Sequence, residues 1–272
     1  MRSARWLWVG LAGCGGSEVT VQFAAAVDGA PFACGERYEG IGSTGVSIEP
    51  RDLRMYVHDV DLLDAEGASL GFVMSEAALQ HQGLALLDFE DGSAACETGS
   101  TGLNTEIIGT VAGGVGDAAA IVFTIGVPPD RNHLDNATAP APLNEPGMFW
   151  SWKGGYRYVK LDVKTPEYEE FYLHLGATGC EGSPGSGFSC TSGHQSTVTL
   201  DGWSPDAAVE IDVAAVYDDL ALDAARPETD GLPGCMSNEG DPECDPMMAA
   251  FGVRFMDDEA SLDQRVFAVR GP

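Results

Sequence analysis

The sequence is poor in basic residues. Lysine and arginine together number 14 against 42 aspartates and glutamates, which gives the chain of 272 residues a formal net charge of −28. A charge of this sign opposes contact with phosphate backbones and anionic lipid surfaces, and it favours cations and basic partners. We therefore expect no nucleic-acid binding, and a solubilising acidic surface is the plainest interpretation of the charge.

Motifs of the common enzyme classes are also absent. The sequence contains no HExxH, no GxSxG, no GxGxxG opening a helix and no Walker-type loop. A zinc hydrolase, a serine hydrolase and a nucleotide-dependent enzyme are therefore not indicated. Nothing in the sequence singles out two carboxylates for glycoside hydrolysis. The sequence predicts a protein that is not an enzyme.

The N-terminal apolar run, Trp6 to Leu11, is too short to span a bilayer. It follows Arg2 and Arg5, as in a secretory signal, and it leads into Leu11-Ala12-Gly13-Cys14, which resembles a bacterial lipobox. We predict a lipoprotein signal peptide over residues 1–13 and one mature domain over 14–272, with a lipid on Cys14. The protein would then face the periplasm or the cell surface, held at the outer membrane by its lipid anchor only. The alternative is ordinary secretion, with Cys14 lost in the signal.

Six cysteines remain after Cys14, and none of their spacings is CxxC. An even number suits disulfides in an oxidising compartment, where thiolate metal sites would compete with oxidation. The short separations of Cys180 from Cys190 and of Cys235 from Cys244 suit local loops. We therefore expect bridges within those two pairs and, by elimination, a third bridge between Cys34 and Cys96.

Alternation of polar and apolar residues predicts half-buried strands along most of the chain. Long amphipathic helical stripes are absent, so we expect an all-β, sandwich-like single domain with long loops. Short helices are predicted at Glu76–His81 and Pro246–Phe251, and a hairpin loop at Asp64–Gly67. The expected strands are Glu18–Phe23, Leu53–Leu63, Ser69–Met74, Glu106–Val111, Ile121–Val127, Tyr156–Val163, Glu170–Leu175, Thr197–Leu200 and Val209–Val213.

Only five histidines could act as imidazole ligands of a transition metal: His58, His81, His133, His174 and His194. His58 lies in a predicted strand and shares a face with Tyr56 if the two-residue period holds. His133 follows a strand and a proline-rich turn, from which it could meet a strand residue of another segment. For each histidine the plain alternative is a surface residue or a hydrogen-bonded one in the core.

Two further segments offer binding chemistry. The acidic run Asp88–Gly92 could hold calcium, although it lacks the regular oxygen spacing of an EF-hand loop, and a solvated turn is the alternative. Trp150 and Trp152, two positions apart, would share one strand face, which indicates core packing or a ligand groove.

Taken in order, many short motifs resemble those of the MbnP-like proteins, the four-cysteine members of the so-called metallo-mystery pair. The resemblance runs through nearly all of the predicted mature chain. Its specificity comes from the order of the motifs rather than from any one. The motifs are Phe32–Gly35, Asp52–Val60, Leu86–Asp91, Gly126–Pro128 with Asn132-His133, Met148–Trp152 with Gly155-Tyr156, His174–Gly176 with Cys180, and Gly234–Ser237.

The resemblance implies a copper-binding protein paired with an MbnH-like di-haem enzyme of the cytochrome c peroxidase family. It also implies that this partner oxidises a tryptophan to kynurenine. Cu(I) would be held by His58 and His133, with His174 as a reserve ligand. Two residues before the first histidine, where some relatives carry the oxidised tryptophan, this chain has Tyr56. Tyr56 could line the site, Met55 or Met236 could add a sulfur donor, or the partner could oxidise Trp150 or Trp152.

Two other functions remain open. The protein could be chiefly a macromolecular substrate or electron-transfer partner of the haem enzyme, with no physiological role for metal. It could also be a surface lipoprotein that binds calcium or carbohydrate.

Overall fold

A computed structural model describes residues 16–96, 99, 102–225, 231–258 and 262–271. The predicted signal peptide and Cys14 lie outside these residues. Strands dominate the described part, and one short α-helix is present, so the predicted all-β, sandwich-like fold is confirmed. Within these described ranges no helix is long and apolar enough to cross a bilayer.

The strands are numbered in chain order. They are β1 Ser17–Val27, β2 Ala30–Pro31, β3 Tyr38–Ile41, β4 Val46–Leu63, β5 Val73–Met74, β6 Gln80–His81, β7 Leu84–Asp88, β8 Glu106–Val111, β9 Ala120–Ile125, β10 Phe149–Ser151, β11 Gly155–Tyr156, β12 Val159–Lys164, β13 Phe171–Leu175, β14 Glu181–Ser183, β15 Gly187–Ser189, β16 Ser196–Asp201, β17 Ala208–Asp212, β18 Gly234–Cys235 and β19 Phe267–Arg270. Helix α1 is Cys244–Ala250, and single 3-10 turns cover Ala94–Cys96, Val115–Asp117, Pro146–Met148 and Ala214–Val216.

Two large sheets form the sandwich. The first has the order β19-β17-β1-β8-β5, with β2 added beside β1, and β1 runs parallel to β17. The second has the order β16-β9-β4-β12-β13-β18, and β7 pairs with β4 as well. Two small hairpins, β10-β11 and β14-β15, lie outside both sheets. The two large sheets are called the first sheet and the second sheet below.

The apolar core lies between the two sheets. Phe123 of the second sheet meets two aromatic rings of the first in edge-to-face geometry, Phe23 at a centroid distance of 5.7 Å and Phe267 at 5.4 Å. Such pairs add stabilisation beyond the apolar area they bury. The buried apolar side chains of both sheets belong to one contiguous cluster, so the sandwich has a single hydrophobic core.

Strand β4 presents two chemically different faces. Met55 and Val57 are fully buried and belong to the apolar cluster. Because side chains alternate along a strand, Arg54, Tyr56 and His58 point to the opposite face, which we call the outer face of the second sheet. These three residues are also buried, although two of them are polar or charged. Something must therefore cover the outer face.

The cover is the connection between β9 and β12, residues 126–158, which we call the covering segment. The hydroxyl of Tyr56 donates a hydrogen bond of 2.9 Å to the carbonyl of Pro142, and the ring of Tyr56 meets Tyr156 edge to face at 5.9 Å. The guanidinium of Arg54 lies 3.5 Å from the carboxylate of Glu145. These contacts bury the outer face, where Tyr56 and Tyr156 join the apolar cluster and Arg54 is held by acidic groups.

The three disulfides expected from the cysteine spacings are all present. Cys180 bonds Cys190, Cys235 bonds Cys244, and Cys34 bonds Cys96 across 62 residues. The first two close short loops, while the third ties the end of the first hairpin to the segment after β7.

Four local predictions differ from the structure. The strand predicted at Tyr156–Val163 is divided into β11 and β12, which belong to different sheets. Glu76–His81 is not a helix, because the side-chain amide of the buried Gln80 bonds the backbone of Ser75 and Ile108, and Gln80 itself belongs to β6. Strand character between Ser69 and Met74 is confined to β5 and one isolated bridge. The helix predicted at Pro246–Phe251 exists but begins earlier, at Cys244.

Candidate functional site

His58 is the buried histidine whose ring nitrogens lack hydrogen bonds. The residue is 5% exposed, and within the described ranges neither Nδ1 nor Nε2 meets hydrogen-bond geometry with any partner. Nδ1 lies 3.0 Å from a carboxylate oxygen of Asp59, whereas Nε2 has no such neighbour. An unsatisfied buried nitrogen is costly, so a native structure that retains one calls for an explanation such as an ion. A metal bound to Nε2 would supply it.

Burial lowers the pKa of His58 below its ordinary value, although the neighbouring Asp59 acts in the opposite direction. Arg131 lowers the pKa further and Asp130 raises it, which places both residues of the covering segment within electrostatic reach of the ring. A histidine with a lowered pKa stays neutral at neutral pH, and neutral imidazole is the form that ligates metals.

His133 belongs to the same covering segment, but its imidazole is directed elsewhere. Its Nδ1 donates a hydrogen bond of 2.7 Å to the carbonyl of Trp152, and its ring stacks on Phe188 at a centroid distance of 4.4 Å. Its Nε2 lies 3.5 Å from the sulfur of Cys190. Among the described residues no hydrogen bond or ring contact joins His133 to His58. The structure therefore holds the two predicted ligands in separate surroundings.

One group of three neighbouring donor atoms is found in the described part of the chain: Nε2 of His133 with the sulfurs of Cys180 and Cys190. The two sulfurs are bonded to each other, however, with Cys180 and Cys190 forming one of the three disulfides. A disulfide is not a thiolate donor, so this group is not a metal site while the bridge is intact.

His174, the reserve ligand, is fully engaged in hydrogen bonds. Nε2 donates to the carboxylate of Asp162 at 2.8 Å, and Nδ1 accepts from Nε of Arg157 at 3.3 Å. Burial would raise the pKa of Asp162, but His174 and the ammonium of Lys160 outweigh that effect and lower it. Both ring nitrogens of His174 are thus used within the protein, which favours a structural role.

The other residues predicted near copper lie in different places. Tyr56 is on the same face as His58, but its hydroxyl is committed to Pro142. Met55 points into the apolar core, on the opposite face of β4, so it is not a neighbour of the His58 side chain. Met236 lines a cavity of about 790 Å³ beside the Cys180–Cys190 disulfide, and His58 is not among the residues of that cavity. The remaining histidines, His81 and His194, are hydrogen-bonded to Glu76 and to the backbone, respectively.

The two candidate tryptophans do not share one face. Strand β10 ends at Ser151 and has a register irregularity, so the two-residue period does not extend to Trp152. Trp150 packs over the guanidinium of Arg157, 5.3 Å from the ring centroid. Trp152 is 48% exposed and lies beside Phe188 on a mostly apolar surface depression.

The acidic run Asp88–Gly92 has a cationic partner within the protein. Asp88 and Glu90 are buried, and Arg54 interacts with both of their carboxylates as well as with Asp52, with which it forms two hydrogen bonds of 2.9 and 2.6 Å. These interactions raise the pKa of Arg54 despite its burial. The guanidinium of Arg54 therefore already supplies these carboxylates with the positive charge that a calcium ion would bring.

The residue that the sequence analysis missed is Asp59. Strict alternation along the strand would point Asp59 away from His58, yet its carboxylate approaches the histidine ring because the strand is bulged at this point. The sequence signal for this contact is an aspartate that directly follows a strand histidine, because aspartate tolerates the positive φ that a bulge can require.

Comparisons with known proteins agree with the fold. The family model described as MbnP matches residues 16–237. The solved structure titled "MbnP from Methylosinus trichosporium" is similar with a TM-score of 0.83 and 26% sequence identity, over 94% of this chain and 98% of that chain. No curated protein matches the sequence.

Proposed function

This chain belongs to the MbnP family, and on that premise we propose that it is an exported Cu(I)-binding protein rather than an enzyme. The observation that carries the proposal is the buried His58, whose Nε2 has no hydrogen-bond partner in the described residues. Imidazole nitrogen suits Cu(I), which accepts few ligands and prefers nitrogen or sulfur donors.

In this proposal the chain's own residues prepare the ligand. Burial lowers the pKa of His58 and keeps its imidazole neutral, so a metal does not have to displace a proton. The covering segment excludes bulk water from the outer face of the second sheet. His133, which lies on this segment, is the proposed second ligand, and its ring packs against Phe188 and Cys190. The net charge of −28 raises the local concentration of cations.

A Cu(I) competition titration with a chromogenic chelator tests the proposal. We expect one equivalent to bind the wild-type protein, His58→Ala to abolish binding and His133→Ala to weaken it. His81→Ala is the matched control, because His81 is paired with Glu76 at the surface and should bind copper like wild type. Full binding by the His58/His133 double variant would exclude the assignment.

A second candidate is that the protein is a macromolecular substrate of an MbnH-like di-haem enzyme. With peroxide as the oxidant and oxygen source, that enzyme would open the indole ring of a tryptophan to N-formylkynurenine, and hydrolysis would release formate and leave kynurenine. The exposed indole of Trp152 favours this candidate, because an enzyme in solution can approach it. Trp203 is 1% exposed and is a poor target.

Peptide mass spectrometry of protein produced with and without the haem partner separates the two candidates. The substrate function predicts the mass of kynurenine at Trp152 or Trp150 only when the partner is present. Unmodified tryptophans in protein that still binds Cu(I) would favour the copper-binding function alone.

A further inference from the structure

Asp59 occupies a β-bulge beside the candidate ligand. Between His58 and Asp61 the pairing of β4 with β9 shifts in register, and Asp59 has a positive φ of 50°. A bulge places an extra residue in one strand and changes the direction of the neighbouring side chains. Without it, strict alternation would carry the side chain of Asp59 to the face opposite His58.

The bulge brings the carboxylate of Asp59 against the imidazole instead. Oδ2 lies 3.0 Å from Nδ1 of His58, while the carboxylate itself is largely exposed. The contact is close but not linear, since Nδ1 does not meet full hydrogen-bond geometry. The other nitrogen, Nε2, is buried and has no partner among the residues that the structure describes.

We propose that Asp59 is a positioning residue that holds the Nδ1–H tautomer of His58 and directs the lone pair of Nε2 toward a bound metal ion. The proposal rests on the Cu(I)-binding function proposed above. Metal-bound histidines commonly donate their second ring N–H to a carboxylate, which fixes the ring and increases its basicity as a ligand. Asp59 would give His58 such a partner.

The backbone conformation at position 59 does not by itself explain why the residue is aspartate. A positive φ is tolerated by glycine, asparagine and aspartate, so Gly or Asn at position 59 would also permit the bulge. Only aspartate adds a charged acceptor at the distance that Nδ1 requires. Substitution by Asn or Gly therefore removes the carboxylate and leaves the local backbone unstrained.

A matched control comes from the other acidic group that acts on His58. Asp130 of the covering segment influences the ring electrostatically, and the guanidinium of Arg131 opposes it. Asp130 makes no hydrogen bond to either ring nitrogen. The variant Asp130→Asn removes the same charge as Asp59→Asn but leaves the contact at Nδ1 intact.

The experiment combines a Cu(I) competition titration with ¹⁵N NMR of the His58 ring in the metal-free protein. We expect Asp59→Asn and Asp59→Gly to weaken Cu(I) binding by about 10- to 100-fold, while Asp130→Asn stays close to wild type. In the metal-free wild type we expect the Nδ1–H tautomer, and in both Asp59 variants a mixture of tautomers.

Unchanged affinity together with an unchanged tautomer in the Asp59 variants would overturn the positioning role. Equal losses in Asp59→Asn and Asp130→Asn would overturn it as well, because a general charge effect would then explain the result. If the wild type binds no Cu(I), the proposed function fails. The tautomer of the metal-free protein then still decides whether Asp59 orients His58.

Discussion

The imidazole of His133 lies almost flat on the ring of Phe188, with an interplanar angle of 16°. Phe188 belongs to the β14–β15 hairpin, which the Cys180–Cys190 disulfide closes. A proposed ligand thus packs against a hairpin that lies outside both sheets.

The first prediction concerns this contact. Phe188→Ala should lower the free energy of unfolding by only about 0.5–1.5 kcal/mol, because the ring is partly exposed and lies outside the core. It should nevertheless increase amide hydrogen exchange across residues 181–189. Hydrogen–deuterium exchange checks this, with Phe188→Tyr as the control that keeps a ring in place. Unchanged exchange in Phe188→Ala would show that the stacking does not restrain the hairpin.

The second prediction is that substitution of His174 changes the stability of the fold but not metal binding. His174→Ala leaves the buried carboxylate of Asp162 with one hydrogen bond fewer, although the ammonium of Lys160 remains beside it, and losing one partner of a buried polar group costs about 1–3 kcal/mol. We expect a fall in melting temperature but unchanged Cu(I) stoichiometry at a temperature where the variant is folded. Loss of copper from a folded His174→Ala protein would instead make His174 a ligand.

The pH dependence of stability should depend on His58. Burial lowers its pKa in the folded state, so the unfolded chain binds a proton at a higher pH than the folded protein does. The contribution of the neutral ring is fully present above its ordinary pKa of 6.5, and it is lost as the pH falls through the lower, folded value. His58→Gln should therefore reduce the drop in melting temperature of the metal-free protein between about pH 7.5 and pH 5.5.

The drop will not vanish in that variant, because burial also lowers the pKa of His194. Thermal denaturation of wild type and variant across this range provides the measurement. An identical pH dependence in both proteins would contradict the lowered pKa of His58.

The disulfides should differ in how much each contributes to the free energy of unfolding. Removal of Cys34–Cys96 opens a separation of 62 residues, whereas removal of Cys180–Cys190 opens one of 10. In the chain-entropy model the cost grows with the logarithm of loop length, so the longer loop should cost about 1.6 kcal/mol more. Urea denaturation of the two double-serine variants tests the order. A greater loss from the shorter loop would show that contacts in the native state outweigh loop entropy.

Much of the fold could be predicted from the sequence because its signals are local. The alternation in Thr197–Leu200 and Val209–Val213 identifies strands β16 and β17, and the short cysteine separations identify two bridges. The predicted helix at Glu76–His81 failed because long-range bonds of Gln80 to the neighbouring strand override local preference.

The candidate site was less predictable, since it depends on relationships between distant segments. His174 is paired with Asp162 only because β12 and β13 are antiparallel with Lys160 opposite His174. The orientation of His133 depends on Phe188, which lies 55 positions later in the chain. The bulge at Asp59 breaks the very period from which the direction of its side chain was inferred.

Strand β4 is buried on both of its faces, with Met55 and Val57 on one and Tyr56 and His58 on the other. A strand that is buried on both faces has no solvent-facing side on which substitutions cost little. Changes at any of positions 55 to 58 should therefore be felt either in the packing between the sheets or in the contacts with the covering segment.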